Sequence, residues 1–152
     1  MIQSLRVLLI AAFVAFAINL APQAAGTADA AGCVKIYRIY YDSPGSDSGS
    51  NSSLNAEWVQ LKSKCSVNKS LAGYKLRDKA NHWYTFGAYT LRAGTKVKIH
   101  TGSGADTLTD RYQGLDGYVW NNDGDKAFLY NSAGTLVQTC AYAGGSPGYK
   151  YC

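Results

Sequence analysis

The sequence predicts an all-β fold of seven to nine short, mainly antiparallel strands closed by two disulfides. Three observations predict it. Beyond residue 30 no segment repeats apolar side chains at helical spacing over three turns. Short runs of Val, Ile, Tyr, Trp and Thr recur instead between clusters of Gly, Asn, Asp and Ser, at the density of a sandwich or barrel. All four cysteines, Cys33, Cys65, Cys140 and Cys152, lie in that same stretch.

The strands follow in order. Val34 to Tyr41 (VKIYRIYY) is the first, and the polar segment Asp42 to Asn55 is a long loop with too little apolar surface to bury itself. Glu57 to Lys62 alternates, with Val59 and Leu61 on one face and Trp58, Gln60 and Lys62 on the other. Leu71 to Asp78 bends at Gly73, and Trp83 to Phe86 is short. Tyr89 and Leu91 lead into the Ala93-Gly94 turn, after which Lys96 to His100 points Val97 and Ile99 inward and Lys96, Lys98 and His100 outward. Tyr118 to Trp120 is a strand, Asn121 to Asp125 its turn, and Ala127 to Tyr130 pairs with Thr135 to Tyr142 as a hairpin.

Residues 1–30 stand apart from this domain. Arg6 precedes an apolar run from Val7 to Ile18 and a small-residue exit, the pattern of a secretory signal peptide. Ala28 and Ala30 place cleavage after Ala30, with Ala25 or Gly26 as alternatives, and the run is too brief to span a membrane. Ala30-Ala31-Gly32-Cys33 approximates a lipidation box, but the apolar run ends far upstream and Asp29 intervenes, so Cys33 is left to a disulfide. The remaining chain, residues 31–152, suffices for one domain, expected to be secreted, extracellular and monomeric.

An even set of cysteines in an oxidising compartment implies two bridges, with three connectivities open. Cys33 opens the first strand and Cys65 follows the second, so antiparallel pairing brings them together and leaves Cys140 to Cys152. The leader contains one charge of each sign, Arg6 and Asp29, so its removal keeps the net charge at +5. Along the sequence that excess is evenly spread apart from Lys62/Lys64/Lys69 and Lys75/Arg77/Lys79, unlike the clustered stripe of most nucleic-acid binders.

Three phrases carry a family resemblance: Leu71-Ala72-Gly73-Tyr74-Lys75-Leu76-Arg77-Asp78, the run from Leu91 to Gly102, and the run from Trp120 to Leu129. With Glu57-Trp58-Val59-Gln60-Leu61 after an Asp-Ser-Pro-Gly-Ser-Asp loop, the chain resembles a bacterial, exported member of the lamin tail domain family from Val34 to Tyr142. The resemblance implies an immunoglobulin-like β-sandwich. It supplies no shared catalytic residues or cofactor, and the absence of a coiled-coil rod argues against filament assembly of the nuclear kind.

Function is therefore sought in individual side chains. His82 and His100 form no Ser/His/Asp ordering, and a ribonuclease-like pairing of Glu57 with His100 and an arginine ranks below the reading of His100 as a solvated strand residue. No enzyme activity is expected. Asp42, Asp47 and Glu57, with Asp123 and Asp125 near Asn121 and Asn122, are a weak Ca²⁺ candidate ranked below turn chemistry. The stronger signal is aromatic: Tyr37, Tyr41, Trp58, Trp83, Tyr112, Tyr118, Tyr149 and Tyr151 are candidate binding groups on outward faces or loops. The favoured function is a non-enzymatic binding or cell-envelope interaction module for a protein, glycan or nucleic-acid ligand. A nucleic-acid-binding module and a hydrolase inhibitor presenting the Cys140 to Cys152 segment are the alternatives.

Overall fold

The computed structural model describes residues 32–152, so the signal peptide and its cleavage sites lie outside the described residues. Eleven strands form two packed sheets and a small ribbon. The first sheet has the order β11-β1-β2-β7-β8, from β1 (Val34–Tyr40), β2 (Trp58–Ser63), β7 (Lys96–His100), β8 (Asp110–Tyr112) and β11 (Tyr149–Tyr151). The second runs β10-β9-β4-β5, from β4 (Lys75–Arg77), β5 (Trp83–Thr85), β9 (Asp125–Tyr130) and β10 (Leu136–Tyr142). β3 (Lys69–Ser70) pairs with β6 (Thr90–Leu91), and every pair is antiparallel except β7 with β8. This is an immunoglobulin-like β-sandwich.

Alternation builds the core. Ile36, Ile39, Val59, Leu61, Val97 and Ile99 point inward from the first sheet to meet Leu76, Ala127 and Leu129 from the second, all at most 2% exposed. Both disulfides have the inferred connectivity. Cys33–Cys65 ties the outer ends of β1 and β2, and Cys140–Cys152 joins β10 to the end of β11, bridging the two sheets.

The structure corrects the sequence reading at four places. The first strand carries a bulge between Ile36 and Arg38, which shifts the inward phase by one residue. Val34 and Ile36 are inward before it and Ile39 after it, so Tyr41, expected outward, is buried at 4% exposure and stacks on Tyr142. The Asp42 to Asn55 loop does bury something. Its end folds into α1 (Asn51–Ala56), where Ser50 accepts the Ser53 N–H as N-cap and Leu54 is the buried anchor. One and a half turns are too short to leave a periodic signal.

Tyr118 to Trp120 is not a strand, although Val119 and Trp120 are buried. The Val119 N–H is instead satisfied by the Glu57 carboxylate. Tyr149 to Tyr151, read as loop-borne, forms β11 against β1. Strand identity there comes from a partner far away in sequence, which local composition does not encode.

Candidate functional site

Three strands place the main cluster. Bulging at Tyr37 leaves both Tyr37 and Arg38 on the outward side of β1 together with Lys35 and Tyr40, while β2 presents Trp58, Gln60 and Lys62, and β7 presents Lys96, Lys98 and His100. Register then sorts these side chains into rows across the sheet. Tyr149, Tyr40, Trp58, His100 and Tyr112 lie opposite one another through all five strands. Two residues along, Tyr151, Arg38, Gln60, Lys98 and Asp110 form a mixed row. Next, Lys35, Lys62 and Lys96 face each other directly on three neighbouring strands.

The rings stack on each other. Tyr40 lies 5.3 Å from Trp58 and 5.9 Å from Tyr149, and His100 lies 5.0 Å from Tyr112. Cations take other ring faces: the Arg38 guanidinium sits 4.0 Å over Tyr149 and 5.0 Å over Tyr151, Lys96 Nζ 4.0 Å over Tyr37, and Lys98 Nζ 4.7 Å over Trp58. Arg38 Nε is buried without a hydrogen-bond partner. Among the described residues Lys35, Arg38, Lys62, Lys64, Lys96 and Lys98 make no salt bridge. Asp110, at the far edge of this face, is already engaged. Burial alone would raise its carboxyl, but bonds from Thr109 and His100 hold it below the ordinary value.

Beside the lysine row lies a pocket of about 240 Å³, lined by Lys35, Ile36, Tyr37, Lys62, Lys64, Gln138 and Cys152. The Gln138 side-chain carbonyl accepts the Ile36 N–H at 2.8 Å, which closes the β1 edge beyond the last residue of β11. A charge that is evenly spread along the chain is thus gathered in space by strand register.

The predicted site residues divide between this face and other parts of the molecule. Trp83 lies on the opposite sheet, 48% exposed, 5.5 Å from the Tyr130 ring and 5.4 Å from the Arg77 guanidinium. Tyr112 covers Gly104, and Tyr118 bonds Ser53 Oγ and the Gly49 N–H, so it pins the loop before α1. Trp58, Tyr149 and Tyr151 stand in the cluster. Tyr40, Arg38 and the Lys35/Lys62/Lys96 row were not singled out from sequence. Their signal was the outward phase of each strand, which becomes a surface only once register is known.

The acids do not gather. Asp42 and Asp47 both accept the Asn122 amide, at 3.5 and 3.0 Å, whereas Glu57 is sealed in the interior. Asp125 accepts the Lys79 and Lys126 backbone N–H groups, as turn chemistry requires. No group of three His, Cys, Asp or Glu among the described residues is arranged to hold a metal ion.

His100 is not the solvated residue anticipated for an outward strand position. Its side chain is 12% exposed, with Nδ1 at 2.6 Å from the Asn55 carbonyl and Nε2 at 2.9 Å from Asp110. Glu57 points the other way: its Oε1 accepts Thr101 Oγ1–H and the Val119 N–H, and its Oε2 has no partner. Burial raises this carboxyl to about 7, against the opposing pull of those hydrogen bonds. His82 donates its backbone N–H to the buried Asp78, whose other oxygen meets the ring at 2.6 Å, closing the turn after β4.

The fold and its phrases have a counterpart among known proteins. No curated protein matches the chain. The family model described as Lamin Tail Domain matches residues 27–144, from before β1 to just beyond β10. The chain belongs to the lamin tail domain family.

Proposed function

We propose that the domain is an exported, non-enzymatic binding module that docks an anionic partner at the cell envelope on the outward face of its five-stranded sheet. The observation that carries this reading is the row Lys35, Lys62 and Lys96, in direct register and without a carboxylate partner. Like charges set opposite one another on neighbouring strands weaken a sheet, so an anionic partner accounts for an arrangement that folding alone disfavours. Engagement of both His100 ring nitrogens in hydrogen bonds supports a role without catalysis. The disulfides suit an oxidising compartment, and no described helix is long and apolar enough to cross a membrane.

Sedimentation with purified cell envelopes tests the reading. Lys62→Glu/Lys96→Glu loses retention, and Lys75→Glu/Lys126→Glu on the opposite sheet, which changes net charge equally, retains it. Equal loss in both variants overturns the assignment to this face. Nucleic acid is a second reading, because the same row would meet a phosphate backbone, and its binding would fall steeply with salt. The inhibitor reading has less support, since Tyr149–Tyr151 spends its backbone on pairing with β1.

A further inference from the structure

Resting on that docking face, we infer that the pocket lined by Lys35, Lys62 and Lys64 seats a tetrahedral phosphate-type oxyanion borne by a linear polymer without bases. Lys35, Lys62 and Lys64 are three of the seven residues that line it, and Gln138 and the bridged Cys152 lie on the side where β11 ends. Lys35 and Lys62 are in cross-strand register, and Lys64 continues the outward phase of β2 beyond its end. None of the three has an ion-pair partner in the described chain.

The chemistry of the donors selects the anion. Ammonium groups are compact point charges with freely rotating donors and suit a multiply charged tetrahedral group, whereas planar carboxylates are best met by an arginine fork. Arg38 is the one arginine among these rows, and its guanidinium is stacked over Tyr149 and Tyr151. At about 240 Å³ the pocket holds such a group with part of the chain that bears it.

The rings decide against a base-bearing polymer. Single-strand binders stack bases on free aromatic faces. Here Tyr149, Tyr40 and Trp58 stack in series, Arg38 covers Tyr149, Lys98 lies over Trp58 and Lys96 over Tyr37. The rings serve as supports that hold cations in place, and the face presents charge and hydroxyl donors.

An NMR titration of the 15N-labelled domain with inorganic phosphate, sulfate, linear polyphosphate and oligo-deoxythymidylate of equal phosphate content tests this. Phosphate and polyphosphate shift the Lys35, Lys62 and Lys64 signals first. Lys35→Gln/Lys62→Gln/Lys64→Gln weakens polyphosphate binding by about tenfold or more, as loss of several phosphate contacts requires, while the charge-matched Lys75→Gln/Lys79→Gln/Lys126→Gln changes it by less than about twofold. Sulfate binding as tight as phosphate redirects the ligand class to sulfated polymers and overturns the phosphate assignment.

Polyphosphate that moves the Trp58 and Tyr40 signals as strongly in the pocket variant as in the wild type overturns the pocket and leaves the docking face standing. Tighter binding of the oligonucleotide than of polyphosphate overturns the exclusion of bases. No response to phosphate or polyphosphate overturns the inference outright, while envelope retention remains a separate measurement of the face.

Discussion

Replacing Glu57 by Gln removes a buried carboxylate whose ionisation opposes folding. Glu57 is fully buried at the junction of α1, β2, β7 and the segment before β9, and its carboxyl rises from 4.5 to about 7, chiefly because burial penalises the charged form. A raised acid favours the folded state while both states are protonated. Its stabilising influence is therefore full below pH 4.5, declines as the unfolded chain ionises first, and is gone above about 7. The difference across that window is about 3 kcal/mol, which for a domain of this size moves the melting temperature by roughly 10 °C.

Gln keeps an acceptor for Thr101 and Val119 but puts an amide N–H₂ where Oε2 has no partner, a cost of about 1 kcal/mol. Glu57→Gln is thus less stable than the wild type at pH 4, close to it at pH 5, and more stable at pH 8, by about 2 kcal/mol there. Urea unfolding between pH 4 and 8 measures both curves. The reasoning is refuted if the variant keeps the wild-type decline over that range, since the decline would then belong to other groups. Asp110, whose carboxyl is lowered, loses its contribution only as pH falls below the ordinary carboxylate range, outside this window.

Three further outcomes follow from the geometry. Lys62→Glu places an acid between Lys35 and Lys96, converting two like-charge pairs into ion pairs; chemical denaturation should show a gain of about 1 kcal/mol even as envelope binding is lost, and a destabilised variant contradicts the row. Selective removal of the Cys140–Cys152 bridge as Cys140→Ala/Cys152→Ala releases β11 from β10, costs about 3 kcal/mol, and raises amide exchange at residues 149–151 first; unchanged exchange there counts against the bridge as the clamp of that edge. Gly144 has φ of 78°, and a Cβ there would collide with the Asn122 carbonyl and Asp123 backbone, so Gly144→Ala should lower stability by more than about 1 kcal/mol in thermal melts, whereas a neutral result would show that this turn yields.

How far each feature could be read depends on the range of the interaction behind it. Val59, Leu61, Val97 and Ile99 were legible because two-residue alternation is written into neighbouring positions. Cys33 and Cys65 were legible because both flank strands that are consecutive and antiparallel. Tyr41 was misplaced because a bulge is one extra residue whose cause is the partner strand, and everything after it changes face. β11 escaped notice for a related reason: Tyr149–Tyr151 becomes a strand only because β1 offers an edge and Cys152 is tethered to β10.

The amino-acid sequence alone determined the β class, the inward residues of the regular strands, the bridge pairing and the family. Tertiary structure decided the surface. Lys35, Lys62 and Lys96 come from three separated segments, and only register across β1, β2 and β7 sets them side by side, with Tyr37 beneath the Lys96 ammonium. It also decided that Glu57, one of many polar residues in the chain, is sealed in the interior with its carboxyl raised. Patterning is local and propagates along a strand, whereas charge clustering and desolvation depend on which strands become neighbours.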